Sequence, residues 1–218
     1  MTPGEPLIRW DWLVRNLPVI GQRVTEHIQL TLIAVTVGFA LSFVISLFIV
    51  RRGALYGPVT WITGVMYTIP SLALFAVLVP ITGLTTLTAE IGLVSYTLLI
   101  LIRSIVSGIR SVPAEVRDAA IGMGYSEWAL LWRVELPLAT AVIFAGVRVA
   151  TITTIGLTTV TALIGQGGLG ALILEGIMRF FSTPLIVGSV LSIVLAVVAD
   201  ALLALLQRWA TPWTQARG

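Results

Sequence analysis

Few residues in this sequence could do covalent chemistry. The chain of 218 residues contains no cysteine, a single histidine at His27 and no lysine, so its 13 basic residues are all arginines. A thiolate nucleophile, a cysteine metal site, a Schiff-base lysine and a Walker A phosphate loop are therefore excluded. One histidine is also too few for a histidine metal cluster or an ordinary Ser-His-Asp triad. Any work driven by ATP must be done by another polypeptide.

The polar residues that remain gather in one long internal segment, from about Arg110 to Pro137. Pro113 can begin a helix, glycines at 122 and 124 can end it, and Ser126 can cap a second helix. Pro137 should then interrupt the regular pattern. A helix, a glycine turn and a second helix between two apolar segments have the form of a docking element for another protein.

Two further features lie within or beside apolar sequence. The run Gly165-Gln166-Gly167-Gly168-Leu169-Gly170 fits the G-x-G-x-x-G dinucleotide fingerprint, but that fingerprint requires a preceding strand, and here an apolar span precedes it. We expect a tight non-helical turn that is covered by protein or lines a cavity.

Asp200 and Arg148 are ionisable residues inside apolar segments, where such groups usually face a bundle interior or a cavity. For Arg148 we expect the side chain to extend to the nearby membrane interface. For Asp200 two interpretations stay open, an ion pair or translocation-path site and a similar extension to the interface.

The composition indicates the elements that hold these residues. Hydrophobic residues make up 57% of the chain, charged residues only 11%, and the mean hydropathy is +1.02, which indicates an all-α integral membrane protein. A spanning helix needs ~20 apolar residues to cover ~30 Å of hydrocarbon. The uncharged runs and turn signals predict five spans, at about 28–50, 58–81, 90–109, 138–163 and 184–206.

The flanking segments predict the topology. Residues 1–27 resemble an amphipathic helix on the membrane surface more than a cleavable signal peptide, and 207–218 form a tail. With five spans, nine arginines fall on one side and four on the other. The positive-inside rule then places the N-terminus outside and the C-terminus in the cytoplasm, with the 110–137 loop also cytoplasmic. The net charge of +3 is explained by topology, so no nucleic-acid partner is expected.

The polar loop resembles a known family. Asp118-Ala119-Ala120, then Gly124, then Val134-x-Leu136-Pro137, is similar to the E-A-A-x-x-x-G-x₉-I-x-L-P loop of ABC importer permeases, with Asp for Glu and Val for Ile. Further segments, 69–74 and 164–170 among them, are similar to permeases for glycine betaine, choline or carnitine. The resemblance implies the type I importer permease core, five transmembrane helices with a cytoplasmic coupling helix, in the cytoplasmic (inner) membrane of a prokaryote.

The resemblance also implies partners and site residues. A permease of this kind works with a second, identical or similar permease, two ABC ATPase subunits that use ATP and Mg²⁺, and an extracytoplasmic substrate-binding protein. The chain itself would bind no cofactor and no metal, and membrane lipid and a small solute would be its other partners. The residues expected to couple to the ATPase are Asp118, Ala119, Ala120, Gly124, Tyr125, Ser126, Leu136 and Pro137. The residues expected at a translocation path or gate are Gly165, Gly167, Gly168, Gly170 and Asp200.

Two other functions are weighed against an osmoprotectant importer. A permease for methionine or another amino acid would share the five-span plan and similar loops. An intramembrane enzyme or a channel acting alone is a different class, but the sequence has no clustered acid–base residues and no clear internal repeat.

Overall fold

All regular elements in residues 6–212, the part of the chain that the computed structural model describes, are helical. The helices in chain order are α1 (Trp10–Arg15), α2 (Leu17–Arg51), α3 (Tyr56–Thr68), α4 (Ser71–Thr82), α5 (Thr86–Arg110), α6 (Ala114–Gly122), α7 (Glu127–Leu130), α8 (Leu136–Thr158), α9 (Gly168–Met178) and α10 (Ser182–Ala210). A π-helical segment, Leu131–Glu135, joins α7 to α8, and short 3₁₀ turns occupy Gly53–Leu55 and Val160–Ile164.

Four helical stretches are long and apolar enough to cross a membrane: α2, α5, α10 and the continuous rod Glu127–Ile164 that contains α8. The pair α3 and α4 meets the same criterion only as a broken span. The predicted all-α membrane fold is therefore confirmed, and the number of crossings is five when the broken pair counts as one.

The second span is not the straight helix predicted over 58–81. The chain bends by 94° between α3 and α4. Pro70 has no backbone N–H and disfavours helical dihedrals at the residue before it, and Ile69 is extended, with φ −64° and ψ 126°. The Tyr96 hydroxyl on α5 donates a hydrogen bond to the Ile69 carbonyl. The Ile69 carbonyl therefore has a hydrogen-bond partner at the bend, as the backbone of a non-helical segment within a bilayer requires.

The helix that contains the first predicted span begins well before residue 28. α1 is a short separate helix with no buried residue, and α2 already begins at Leu17, with Pro18 in its first turn. Proline is tolerated there because the first N–H groups of a helix have no partner within the helix. At 1.5 Å per residue the 35 residues of α2 extend about 50 Å, well beyond ~30 Å of hydrocarbon, so the helix also projects out of the bilayer.

The helix that contains the fourth predicted span also begins before that span. The rod starts at Glu127, because the π-helical segment continues the helix into α8, whose first turn holds Pro137. The apolar helix α9, for which the sequence analysis makes no prediction, lies between the last two spans. Tail residues 213–218 lie outside the described residues, as do the first five.

The buried centre of the bundle is α5, which packs between α2 and α8. Glycines let α2 and α8 approach α5 closely. A Cβ at Gly38 of α2 would lie 1.9 Å from the Thr97 Oγ1, and one at Gly146 of α8 would lie 2.2 Å from the Ser104 Cβ. Close backbone approach of this kind drives helix association in lipid, where apolar side chains gain nothing by leaving the solvent. In contrast, none of the most apolar window of α10 is buried.

Candidate functional site

The turn after α6 is a complete helix C-terminal motif. The Tyr125 N–H donates to the Ala120 carbonyl at 3.1 Å and the Gly124 N–H donates to the Ile121 carbonyl at 2.9 Å, which is the hydrogen-bond pattern of a Schellman motif. Gly124 has φ +84°, a left-handed conformation that residues with a Cβ rarely adopt. The sequence-predicted glycine turn is therefore present, and Gly124 rather than Gly122 supplies the unusual dihedral.

The second helix of the loop also begins as predicted. The Ser126 hydroxyl accepts a hydrogen bond from the Ala129 N–H at 3.3 Å, the usual arrangement of an N-cap. Together the two local motifs hold α6 and α7 at a defined angle.

The predicted coupling residues divide into two groups. Asp118, Ala119, Gly124 and Ser126 are exposed, Tyr125 is half-buried, Ala120 is buried, and Leu136 and Pro137 lie partly buried in the first turn of α8. The exposed group is flanked by large apolar side chains, Ile121 at 57% and Met123 at 70% exposure. The loop therefore offers a mixed polar and apolar surface, while Leu136 and Pro137 belong to the span behind it.

Two charged contacts join α6 and α7 to neighbouring helical segments, and neither was predicted. The Arg117 Nε on α6 donates to the Glu135 Oε1 at 2.6 Å, in the π-helical segment. The Arg51 guanidinium, at the end of α2, lies 3.5 Å from the centroid of the Trp128 ring on α7, a cation–π contact. The sequence held no signal for either pairing, because each depends on how separate helices pack.

At the other end of the bundle, the glycine-rich turn packs directly on α2. A Cβ at Gly168 would lie 2.8 Å from the His27 Cβ, and a Cβ at Gly170 would lie 2.0 Å from the Thr159 carbonyl oxygen. Gly165 ends the 3₁₀ turn at φ +78°. The predicted non-helical turn is therefore confined to residues before α9, because Gly168 and Gly170 already belong to the first turn of that helix and serve close backbone approach. No strand precedes these glycines in the described part of the chain, so the dinucleotide fingerprint is accidental.

The same turn borders an open cleft of about 280 Å³ at this end of the bundle. Its lining is mainly polar and comprises Arg23, Glu26, Gln29, Leu30, Ile33, Thr86, Gly165, Gln166 and Gly167. The Gln166 amide oxygen accepts a hydrogen bond from the Thr86 hydroxyl at 2.9 Å, and its NH₂ donates to the Leu84 carbonyl at 3.1 Å. Gln166 thereby ties the turn to the start of α5.

Asp200 and Arg148 form a bidentate ion pair between α10 and α8. The Arg148 Nε donates to Oδ1 at 2.7 Å and Nη2 donates to Oδ2 at 2.8 Å, with each side chain 32% exposed. The expectation that Arg148 extends to the membrane interface is therefore wrong, and for Asp200 the ion pair is the correct interpretation. Both carboxylate oxygens are occupied, because a guanidinium fork matches a carboxylate in this geometry.

The fold and the loop define a helical membrane protein that crosses the bilayer several times and presents a capped, partly apolar docking loop. The chain belongs to the family of binding-protein-dependent transport system inner membrane components, and the sequence model of that family matches residues 34–212. It is therefore the permease subunit of an ABC importer, and its role is transport rather than catalysis.

Curated relatives cover nearly the whole chain. The osmoprotectant import permease protein OsmW of Salmonella typhimurium is 34% identical over 206 residues, which span 92% of this chain and 96% of that protein. The carnitine transport permease protein OpuCD of Listeria monocytogenes is 32% identical over 203 residues, 93% of this chain and 91% of that protein. The glycine betaine/carnitine/choline permease protein OpuCB of Bacillus subtilis is 33% identical, with 86% of each chain covered.

Solved structures with the same fold are permeases of amino-acid importers. An inward-facing structure of the MetNI methionine ABC transporter gives a TM-score of 0.81 at 21% identity, covering 90% of this chain and 98% of that one. An amino acid ABC transporter solved with histidines gives 0.70 at 19% identity, covering 92% and 98%. At these identities the likeness establishes the type I importer permease fold and not the solute.

Proposed function

We propose that this permease imports a compact quaternary ammonium solute, such as glycine betaine, choline or carnitine, by alternating access driven by separate ATPase subunits. The observation that carries the choice of solute is the set of relatives named for these compounds, each at least 32% identical over more than four fifths of the chain. ATP and Mg²⁺ would be used by the ATPase subunits, because a chain without lysine has no Walker A lysine.

We assign the ATPase dock to the exposed surface of α6 and its glycine turn. An exposed apolar patch rimmed by polar residues marks a site of protein interaction, and Ile121 and Met123 lie beside Asp118 and Ala119 there. Closure of two ATPase subunits would move α6 on each of two permease subunits and rotate the attached spans. Leu136 and Pro137 would take part as the first turn of the moving span rather than as docking residues.

The arginine asymmetry supports the orientation. Nine arginines fall on the side of α6 and four on the side of the glycine-rich turn, so we place α6 and the C-terminus in the cytoplasm and the N-terminus outside. The cleft beside Gly165 and Gly167 then opens towards the extracytoplasmic binding protein. We propose that this turn, with Gly168 packed on α2 and Gly170 packed on the end of α8, forms part of the outer gate.

The unburied apolar surface of α10 supports contact with lipid or with the second permease subunit. Asp200 lies on that helix, but its oxygens are already paired with Arg148. We therefore assign Asp200 to holding α10 against α8 near the path, and not to direct binding of solute.

The test is reconstitution of the permease with its ATPase and binding protein in proteoliposomes. We expect ATP-dependent uptake of at least one of radiolabelled glycine betaine, choline and carnitine, and none by the permease alone. Uptake of methionine with no uptake of the three quaternary ammonium solutes would instead support the amino-acid importer, which shares the same permease fold. Activity of the lone chain would overturn the importer assignment in this system.

A further inference from the structure

The coupling helix α6 is connected to the spans through one buried charge. Arg117 contacts the Glu135 Oε1 with both Nε and Nη2, and Glu135 is only 4% exposed. Within residues 6–212, this is the one side-chain hydrogen bond or ion pair between α6 and a membrane-spanning rod. α6 also packs against α7 and the π-helical segment of the rod.

The position of Glu135 along the chain is equally specific. It is the last residue of the π-helical segment Leu131–Glu135, and the next residue begins α8. A π-helical turn is rare, and such turns occur frequently at functional sites. The buried Leu131 anchors the segment in a cluster with Ile105, Ile109 and Ala139, so its position relative to α5 and α8 is fixed.

A charged link suits this location better than an apolar one. Glu135 is buried and the Arg117 side chain is 35% exposed, so the cost of desolvating the carboxylate offsets much of the attraction and the pair contributes little net stability. Its geometry, however, is directional, since a guanidinium donates along fixed N–H vectors to a carboxylate. An apolar contact at the same place could slide when α6 is displaced, whereas this pair transmits displacement along the direction of its hydrogen bonds.

We propose that the Arg117–Glu135 pair is the link that transmits movement of α6 to α8. In this role both are positioning residues: they do not touch the ATPase or the solute. The inference rests on the proposed function, in which α6 is the ATPase dock. It adds that docking and transmission are separable, and that Arg117 and Glu135 carry only the second.

The first experiment is a double-mutant cycle with Arg117→Gln, Glu135→Gln and the double variant, each reconstituted with the ATPase and binding protein. We expect normal ATPase co-purification and continued ATP hydrolysis, but roughly tenfold less solute transported per ATP, within the usual range of coupling between two sites. The double variant should transport as much solute per ATP as the worse single variant, because each of the three variants breaks the same Arg117–Glu135 contact. Glu127→Gln is the control, because its exposed side chain lines a cleft together with Arg117 and Glu135 and the substitution removes a charge there without touching the pair.

A second experiment tests the proposal even if the Gln variants fold poorly. The chain has no cysteine, so Arg117→Cys with Glu135→Cys supplies its only two thiols. We expect solute transported per ATP to be low in the untreated variant and restored when a short bis-maleimide linker, which adds one cysteine thiol at each end, joins the two positions. Single-cysteine variants treated with the linker should not recover.

Three results would overturn the proposal: wild-type transport per ATP in either single Gln variant, loss of ATPase co-purification in both, or no recovery on cross-linking. Failure of the proposed function would look different. If α6 is not the dock, changes on its exposed surface such as Gly124→Trp will leave ATPase co-purification unchanged, whatever the state of the Arg117–Glu135 pair. If the solute assignment alone is wrong, the coupling ratio measured with the transported solute still decides the inference.

Discussion

The Nδ1 atom of His27 accepts a hydrogen bond from the backbone N–H of Leu169 at 3.3 Å, and so caps the first turn of α9 from a different helix. The opposite ring nitrogen, Nε2, donates to the Ile155 carbonyl on α8 at 3.1 Å. The ring is therefore neutral with its proton on Nε2, because Nδ1 must accept. One buried side chain thus joins α2, α8 and α9.

We expect His27→Leu to destabilise the permease in detergent. The change leaves a buried N–H at Leu169 without its acceptor and removes a donor from the Ile155 carbonyl, at a cost of about 1–3 kcal/mol for each unsatisfied group. The measurement is the thermal midpoint of the purified permease. Thr25→Ala is the matched control on the same helix, because its hydroxyl is exposed and bonds only to the Gly21 carbonyl. Equal midpoints for the two variants would contradict the capping role.

The two glycines at the end of α6 allow a second comparison. A Cβ at either Gly122 or Gly124 would meet no atom within 4 Å, but only Gly124 has a left-handed backbone. Gly124→Ala should therefore cost on the order of 1–2 kcal/mol, which lowers ATPase docking by roughly tenfold. Gly122→Ala should be close to neutral.

Gly124→Trp should reduce docking further, because the indole also enlarges the surface. Membrane insertion should be intact in all three variants, since the apolar spans are unchanged. The measurement is ATPase co-purification at matched membrane levels. Wild-type docking by Gly124→Trp would remove Gly124 from the docking surface.

The Arg148–Asp200 pair predicts a pattern among three variants. Arg148→Leu or Asp200→Leu alone should lower the thermal midpoint, but by less than breaking a fully buried pair would, because each side chain is 32% exposed. The double variant should be more stable than either single one, because no unpaired charge is left between the helices. Thermal midpoints in detergent provide the measurement, and additive losses in the double variant would argue against a direct pair.

Glu90 on α5 contrasts with Glu135, whose carboxylate is paired with Arg117. Both carboxyl oxygens of Glu90 are buried and have no hydrogen-bond partner within residues 6–212. Glu90→Leu should therefore raise the thermal midpoint, because an unsatisfied polar group costs roughly 1–3 kcal/mol. Glu90→Gln, which keeps a buried polar group, should gain less. A fall in midpoint with Glu90→Leu would show that the carboxyl has a partner in the assembled importer.

The arginine asymmetry predicts the topology directly. A reporter fused after Gly218 should read cytoplasmic, and one placed near Thr2 should read external. Reporters on the same side would mean an even number of crossings, and the α3–α4 pair would then be a re-entrant hairpin rather than a broken span.

The class, the membrane fold and the form of the α6 loop followed from the sequence because their signals are local. Apolar runs of ~20 residues, the glycine at 124 and the serine at 126 act through neighbouring dihedrals and backbone groups, and the structure contains the elements that they predict. The roles assigned to the coupling residues stay predictions.

Only the tertiary structure decided which distant groups meet. Arg148 pairs with a residue 52 positions away and His27 bonds to one 142 positions away, and neither distance is encoded in a local pattern. The same holds for the start of α2 at Leu17 and for the π-helical passage into α8, where packing against neighbouring helices extends regular structure beyond the apolar run. Helix propensity is a weak local preference that packing readily overrides. The sequence therefore located the crossings, while contacts between helices determined where each helix begins and which distant residues it contacts.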